Sequence, residues 1–222
     1  QVRTILTAKR FVEQANLSGL VQDLQKDYKI VYLEDVRESL TSLDKARGLL
    51  DATAPFLARV KTDPDSTAVM LFTSGTEGIP KGVALSHANL VANVEQVAGH
   101  VDLNPEDIVF NPLPIFHCFG LTGGTFLPLL QGMKCVLFPS PLQAKNIVKM
   151  VRETQATILF GTDTFVNQYA RQADEGDLNS LRFIVCGAER VKEETRQMML
   201  SRFNVPIVEG YGATEASPII AV

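Results

Sequence analysis

The chain has 222 residues, 45% apolar, 21% charged and 7% aromatic, an ordinary globular composition with length enough for one large domain or two lobes around a sizeable core. Its formal charge of -4 argues against a surface built to neutralise nucleic-acid phosphates, whose footprints are basic and clustered, so no nucleic-acid partner is expected. The three cysteines, Cys118, Cys135 and Cys186, stand apart with no C-x-x-C pair, which excludes the usual zinc and dithiol spacings and predicts buried free thiols in a reducing compartment.

Along the chain, β-branched runs alternate with stretches of helix length, the pattern of an α/β protein with parallel strands and crossover helices. Strands are predicted at Arg3–Leu6, Ile30–Leu33, Ala68–Phe72, Ile108–Asn111, Lys134–Phe138, Thr157–Phe160, Arg182–Cys186 and Pro206–Glu209. The stretch Thr62-Asp63-Pro64-Asp65-Ser66-Thr67 is polar and turn-rich, a loop within a lobe. Ser86 is a candidate N-cap for a helix to Gly99, with Leu90, Val91, Val94 and Val97 at helical spacing. Further helices are expected near 142–153, 163–172 and 192–203. A break at Asn104-Pro105-Glu106-Asp107 divides two expected sublobes, 1–104 and 105–222. The richest apolar run, Phe119 to Leu130, is short and broken by Gly120, Gly123, Gly124 and Pro128, so no membrane span is expected, and there is no signal-peptide pattern. The chain opens on Gln1 and closes on an apolar run that resembles a strand, Pro218-Ile219-Ile220-Ala221-Val222. An excised fragment is the expectation, a processed natural chain the alternative.

The predicted strand Val69-Met70-Leu71-Phe72 runs into Thr73-Ser74-Gly75-Thr76-Glu77-Gly78-Ile79-Pro80-Lys81-Gly82. Glycines let backbone amides approach an anion, the hydroxyls of Thr73, Ser74 and Thr76 donate hydrogen bonds, and Lys81 adds a point charge, so this is a phosphate-cradle composition. Lys81 follows Pro80 and precedes Gly82, which departs from the Gly-Lys-Ser/Thr ending of the P-loop, and Gly75 and Gly78 do not match the dinucleotide fingerprint. A mobile, turn-rich hairpin is the plain alternative.

The ten residues resemble the signature of adenylate-forming enzymes, the group of acyl-CoA synthetases, peptide-synthetase adenylation domains and luciferases. Glu77 stands where many members carry a second Thr, and beside phosphates it is expected to face solvent. Later segments follow in the family's order. Asn111-Pro112-Leu113-Pro114-Ile115-Phe116-His117-Cys118-Phe119-Gly120 is similar to the family's Pro-Leu-Phe-His-x-x-Gly element, which puts His117 near the junction of carboxylate and phosphates; alone, a histidine in an apolar segment is usually a satisfied core residue. Cys186-Gly187-Ala188-Glu189 resembles the family's adenine-side turn, with Cys186 replacing its first glycine. Glu209-Gly210-Tyr211-Gly212-Ala213-Thr214-Glu215 resembles its Tyr-Gly-x-Thr-Glu element.

The resemblance implies stacked βαβ sublobes of largely parallel sheets flanked by helices, part of the large N-terminal domain of such an enzyme, with ATP and Mg²⁺ as cofactors. It implies that Thr73, Ser74, Gly75, Thr76, Gly78 and Lys81 hold phosphates and that Gly187, Ala188, Glu189, Tyr211 and Gly212 take the adenine. Thr214 would bond the α-phosphate and Glu215 would hold Mg²⁺; Lys81, His117, Thr214 and Glu215 form the expected catalytic set. Within the group, segments such as Phe138-Pro139-Ser140-Pro141-Leu142 and Phe160-Gly161-Thr162-Asp163-Thr164-Phe165 are similar to acyl-acyl-carrier-protein synthetases of the bifunctional kind that also carry a 2-acylglycerophosphoethanolamine acyltransferase. That implies a long-chain fatty acid substrate, acyl carrier protein as the thiol acceptor with coenzyme A as its rival, and a parent on the cytoplasmic side at the inner membrane. The acyltransferase's His-x-x-x-x-Asp pair is missing: the fifth residues after His87, His100 and His117 are Ala92, Pro105 and Thr122. In the family a further aspartate, a hinge and a lysine on a mobile C-terminal domain follow the Thr-Glu element, so this chain alone is expected to turn over inefficiently. A non-catalytic nucleotide-binding module is the rival class.

Overall fold

The structure, a computed structural model, describes residues 2–56, 60–74 and 79–222, with Gln14 described for its backbone only. The chain separates into two compact units, Gln1–Lys61 and Thr62–Val222. The expected division after residue 104 falls inside the second unit. The separation instead follows Lys61, where the turn-rich stretch begins, polar residues with no large apolar side chain to pack across.

In the first unit β1 (Thr4–Thr7) pairs in parallel with β2 (Lys29–Tyr32), and α1 (Lys9–Gln14) and α2 (Ser18–Leu24) make the crossover. α1 has no capping side chain of its own. Glu34 of α3 (Leu33–Ser39) supplies one, its carboxylate accepting from the backbone N–H of Lys9 at 2.9 Å and of Arg10 at 3.3 Å, which places an anion at the positive end of the helix. α4 (Ser42–Thr53) starts with a reciprocal capping box between Thr41 and Asp44.

The second unit begins with an antiparallel hairpin, β3 (Thr67–Ser74) and β4 (Pro80–Ser86). This departs from the expected parallel pattern and extends strand into what the sequence suggested was loop: Thr73 lies opposite Lys81 and Ser74 opposite Pro80. Leu71, Val83 and Leu85 point inward onto Leu90 and Cys118. Ser86 caps α5 (His87–Ala98) in a reciprocal capping box with Asn89.

The main sheet runs β6-β5-β7-β8-β9, all parallel, from β5 (Ile108–Asn111), β6 (Lys134–Leu137), β7 (Ile158–Gly161), β8 (Phe183–Cys186) and β9 (Ile207–Glu209). Alternate side chains serve opposite faces. Phe110, Leu159, Ile184 and Ile207 pack under α7 (Ala144–Thr154), α8 (Asp163–Gln172) and α9 (Glu193–Phe203). Val109, Ile158, Phe160 and Phe183 pack with α5, α6 (Leu127–Leu130) and the π-helical segment Phe119–Phe126. That segment lies so close to β5 that a Cβ on Gly124 would collide with the buried Asn111 side chain. At the other end of the strands, the buried carboxylate of Asp107 accepts from the Thr157 hydroxyl at 2.6 Å, the Arg182 guanidinium at 2.6 Å and the Asn104 N–H at 2.9 Å. A short hairpin, β10 (Tyr211–Gly212) and β11 (Ile219–Ala221), follows β9 and encloses a 3₁₀ turn, Thr214–Ala216.

Candidate active site

The expected site residues that the structure describes sit on the β3–β4 hairpin or in the segments leaving the carboxyl ends of β5, β8 and β9, the place where parallel α/β sheets leave a crevice for ligands. β5 ends on Asn111, whose amide donates to the Gly120 carbonyl at 2.9 Å and whose amide oxygen accepts from the Leu113 N–H at 3.0 Å. These bonds pin both ends of the turn that carries His117. The His117 Nδ1 accepts from the Phe119 N–H at 3.2 Å, so the neutral ring keeps its proton on Nε2, leaving a donor free for ligand.

Cys118, 5% exposed, sits beneath it. Its sulfur receives the Thr214 hydroxyl at 3.3 Å and lies 4.0 Å from His117 Nδ1. Burial works against ionisation of this thiol, but the contacts with His117 and Thr214 outweigh it and hold its pKa below the ordinary value. Cys186 is the opposite case: burial, with the nearby carboxylates of Asp163 and Glu209, pushes it up to about 12. All three cysteines are free, Cys118 and Cys186 buried and Cys135 only partly so.

Two segments far apart in sequence supply a charged pair. Lys81 on β4 and Glu215 in the 3₁₀ turn face each other at 3.7 Å, both more than half exposed. Tyr211, 68% exposed, and Gly212 stand beside the turn. Gly187 is closed in by Phe119 and the Gly210 carbonyl, and Ala188 has φ of 67°, the left-handed region that costs a residue with a Cβ and recurs at functional turns. Glu189 is committed elsewhere: its carboxylate accepts from the Thr164 N–H at 2.9 Å and the Thr164 hydroxyl at 3.0 Å, capping α8. Its side chain is therefore a brace for the turn, and any adenine contact there falls to Gly187 and Ala188. Thr73 and Ser74 end β3 next to Lys81 and Pro80. Gly75, Thr76, Gly78 and the outward orientation expected of Glu77 lie outside the described residues.

A cavity of about 70 Å³ opens among His117, Gly187, Tyr211 and Gly212 and runs under the sheet to Val97, Val101 and Leu103. Its walls are almost wholly apolar, with Phe119, Leu127, Ile158 and Phe160 along them. Among the described residues no group of three or more His, Cys, Asp or Glu is placed to hold a metal ion by itself. Glu215 suits the other way of binding Mg²⁺, one carboxylate with the remaining ligands from substrate phosphates and water.

Two residues of the site make contacts that the sequence did not foretell. One is Cys118, expected only as a buried free thiol, which bonds Thr214. The other is Asn93, 3% exposed on α5, whose side chain donates to the Ile219 carbonyl at 2.7 Å and accepts from the Ile219 N–H at 3.0 Å. It ties the β10–β11 hairpin, and with it Tyr211, Thr214 and Glu215, to the body of the unit. The signal was present: Asn93 occupies an apolar position between Leu90, Val94 and Val97 of an amphipathic helix.

A lysine, a hydroxyl, an exposed carboxylate and an aromatic ring are thus grouped at the mouth of an apolar cavity beyond a parallel sheet. Residues 1–222 match the family model described as AMP-binding enzyme, and the chain belongs to that family. It is 29% identical over 201 residues to a medium-chain fatty-acid–CoA ligase of Escherichia coli, covering 90% of this chain and 35% of that protein. It is 28% identical over 225 residues to 4-coumarate–CoA ligase 1 of Solanum tuberosum, covering 97% and 41%. An anthranilate CoA ligase in complex with anthranoyl-AMP shares the fold with a TM-score of 0.75 at 21% identity, covering 98% of this chain and 41% of that one. The chain thus spans 35% to 41% of the length of these relatives. The expected α/β architecture, a parallel sheet flanked by helices as in the N-terminal domain of adenylate-forming enzymes, is the one observed.

Proposed function

We propose that this chain supplies the nucleotide- and acid-binding face of an ATP-dependent acid–thiol ligase acting on a fatty acid. A carboxylate oxygen attacks the α-phosphorus of ATP, pyrophosphate leaves, and the acyl-adenylate passes its acyl group to a thiol with release of AMP. The observation that carries this reading is the meeting of Lys81 and Glu215 at 3.7 Å beside Thr214 and Tyr211, at the mouth of an apolar cavity.

Each residue's chemistry suits the reaction. Lys81 offers a compact positive charge to the β and γ phosphates. The Thr214 hydroxyl is a donor for an α-phosphate oxygen, Tyr211 is a flat ring for a purine, and the His117 Nε2–H would serve as a donor where carboxylate and phosphate meet. Glu215 would hold Mg²⁺, which when bound neutralises charge on the phosphates. Catalysis of this kind is mainly positioning and electrostatic stabilisation. The cavity would take the acyl chain. Its 70 Å³ is small beside the roughly 300–1,000 Å³ of ligand sites, so a few carbons fit as it stands and a longer chain requires the cavity to widen.

Coenzyme A is the favoured acceptor, since the fatty-acid and coumarate relatives are named as CoA ligases. Acyl carrier protein is the second reading, carried by the 138–142 and 160–165 segments. Placement on the cytoplasmic side of the inner membrane is part of that second reading; among the described residues no helix is long and apolar enough to cross a membrane. The test is calorimetric titration with MgATP and AMP, followed by mass spectrometry for acyl-AMP after stoichiometric incubation with ATP, Mg²⁺ and fatty acids of graded length, then with each acceptor. A chain that binds neither nucleotide and forms no acyl-AMP would refute the proposal.

A further inference from the structure

The contact between Cys118 and Thr214 joins the turn after β5 to the turn after β10, two segments 96 residues apart. Thr214 donates its hydroxyl proton to the sulfur at 3.3 Å, and the same sulfur lies 4.0 Å from the His117 Nδ1. Cys118 is otherwise enclosed by Leu71, Val83, Leu85 and Leu90, and Glu215, next in sequence to Thr214, pairs with Lys81 across from it.

We propose that Cys118 is a positioning residue that acts through Thr214, holding the Thr214 hydroxyl oriented toward the nucleotide phosphate and exchanging donor and acceptor roles with it as the phosphate arrives. This rests on the nucleotide reading given above. Without ligand, the Thr214 hydroxyl proton turns inward to sulfur. A phosphate oxygen can receive that proton only after it swings outward, and the Thr214 oxygen then presents a bare lone pair to the interior. The Cys118 S–H is the group placed to fill it. Sulfur suits the exchange because it is a weak acceptor and a weak donor, so neither state is locked. A wholly apolar side chain at this place would leave the Thr214 oxygen buried without a partner in the complex. The His117 Nδ1 takes no part in the bound state, since the Phe119 N–H already occupies it.

The test is a double-mutant cycle on MgATP affinity with Cys118→Val, Thr214→Val and the pair, each checked for folding by urea denaturation. Cys118→Val weakens MgATP binding about threefold to tenfold, the range of one neutral hydrogen bond. The same change in the Thr214→Val background alters affinity less than about twofold, and Cys118→Ser, which keeps donor and acceptor, stays within about twofold of wild type. Equal losses from Cys118→Val in both backgrounds would overturn the proposal and leave only a packing role, as would no loss at all. Failure of the wild-type chain to bind MgATP would instead refute the nucleotide reading, and this role with it.

Discussion

Replacing Asn93 by leucine, nearly the same shape without the amide, tests how far the β10–β11 hairpin depends on a single side chain. The substitution removes two hydrogen bonds, 2.7 Å and 3.0 Å long, from the carbonyl and N–H of Ile219. Each is worth about 0.5–1.5 kcal/mol net, and the stranded backbone groups add part of a further desolvation penalty, because Ile219 is only half-buried and water can reach them. A loss of about 2–3 kcal/mol in unfolding free energy follows. If the loosened hairpin must be re-ordered by ligand, the nucleotide pays at most that amount, which bounds the loss of affinity at about a hundredfold. Asn93→Asp, which keeps the acceptor but sets a buried carboxylate oxygen against the Ile219 carbonyl, should cost at least as much. Urea denaturation gives the stability and calorimetric titration with AMP gives the affinity. An unchanged urea midpoint, or a lowered midpoint with undiminished affinity in the folded fraction, would refute the view that Asn93 positions the hairpin.

Lys81→Ala should leave the urea midpoint near that of wild type, because its ion pair with Glu215 is solvent-exposed, while MgATP affinity falls about tenfold to a hundredfold with the loss of a charged donor; equal affinity would remove Lys81 from the site. At Asp107, burial would raise the carboxyl's pKa, but hydrogen bonds from Thr157, Arg182 and the Asn104 N–H outweigh it and hold it low. A group with a lowered folded pKa contributes stability that is present above its unfolded value and lost as pH falls through the folded one. Arg182→Leu should therefore cost about 1.5–3 kcal/mol at neutral pH, with the gap to wild type narrowing as pH drops below the carboxylate range; a pH-independent gap in urea denaturation would contradict this. Gly124→Ala forces a methyl into the buried Asn111 side chain and should destabilise by about 1–3 kcal/mol, read as a lowered melting temperature.

All eight strands expected from β-branched runs are present within a residue or so at each end, apart from the two-residue extension of β3 beyond Phe72; the signal is strongest for β5, β7 and β8, which are largely buried and so almost wholly apolar. Asp163–Gln172 forms the helix expected there, and Ser86 caps the helix that follows it. What sequence missed has physical causes. Pro80-Lys81-Gly82 looks like loop punctuation, yet proline begins β4, where it donates no ladder hydrogen bond, and Gly82 leaves room for the Phe72 and Met70 side chains across the pair. The π-helical turn at Phe119–Phe126 carries no helical periodicity, since its three glycines serve close approach to Pro114, to Phe160 of β7 and to Asn111 of β5. Of the residues that motif spacing singled out, His117, Gly187 and Tyr211 line one cavity, and Thr214 stands in the turn beside it. Spacing could not reveal that Glu189 is engaged by Thr164 or that Thr214 bonds Cys118, because side-chain partnerships across the fold leave no local trace.

The groups facing the crevice come from β4, from the turn after β5, from the end of β8 and from the closing hairpin, so a nucleotide held there would be bonded to four stretches of chain that meet only when the second unit is folded. Ligand and fold are then thermodynamically linked. At a hundred times its dissociation constant a ligand bound only by the folded state adds about 2.7 kcal/mol to unfolding free energy, about the stabilisation argued for Asn93. Occupancy would brace the closing hairpin from the solvent side as the asparagine does from within. Metabolite concentration would thereby become a term in the lifetime of the folded protein as well as in its turnover.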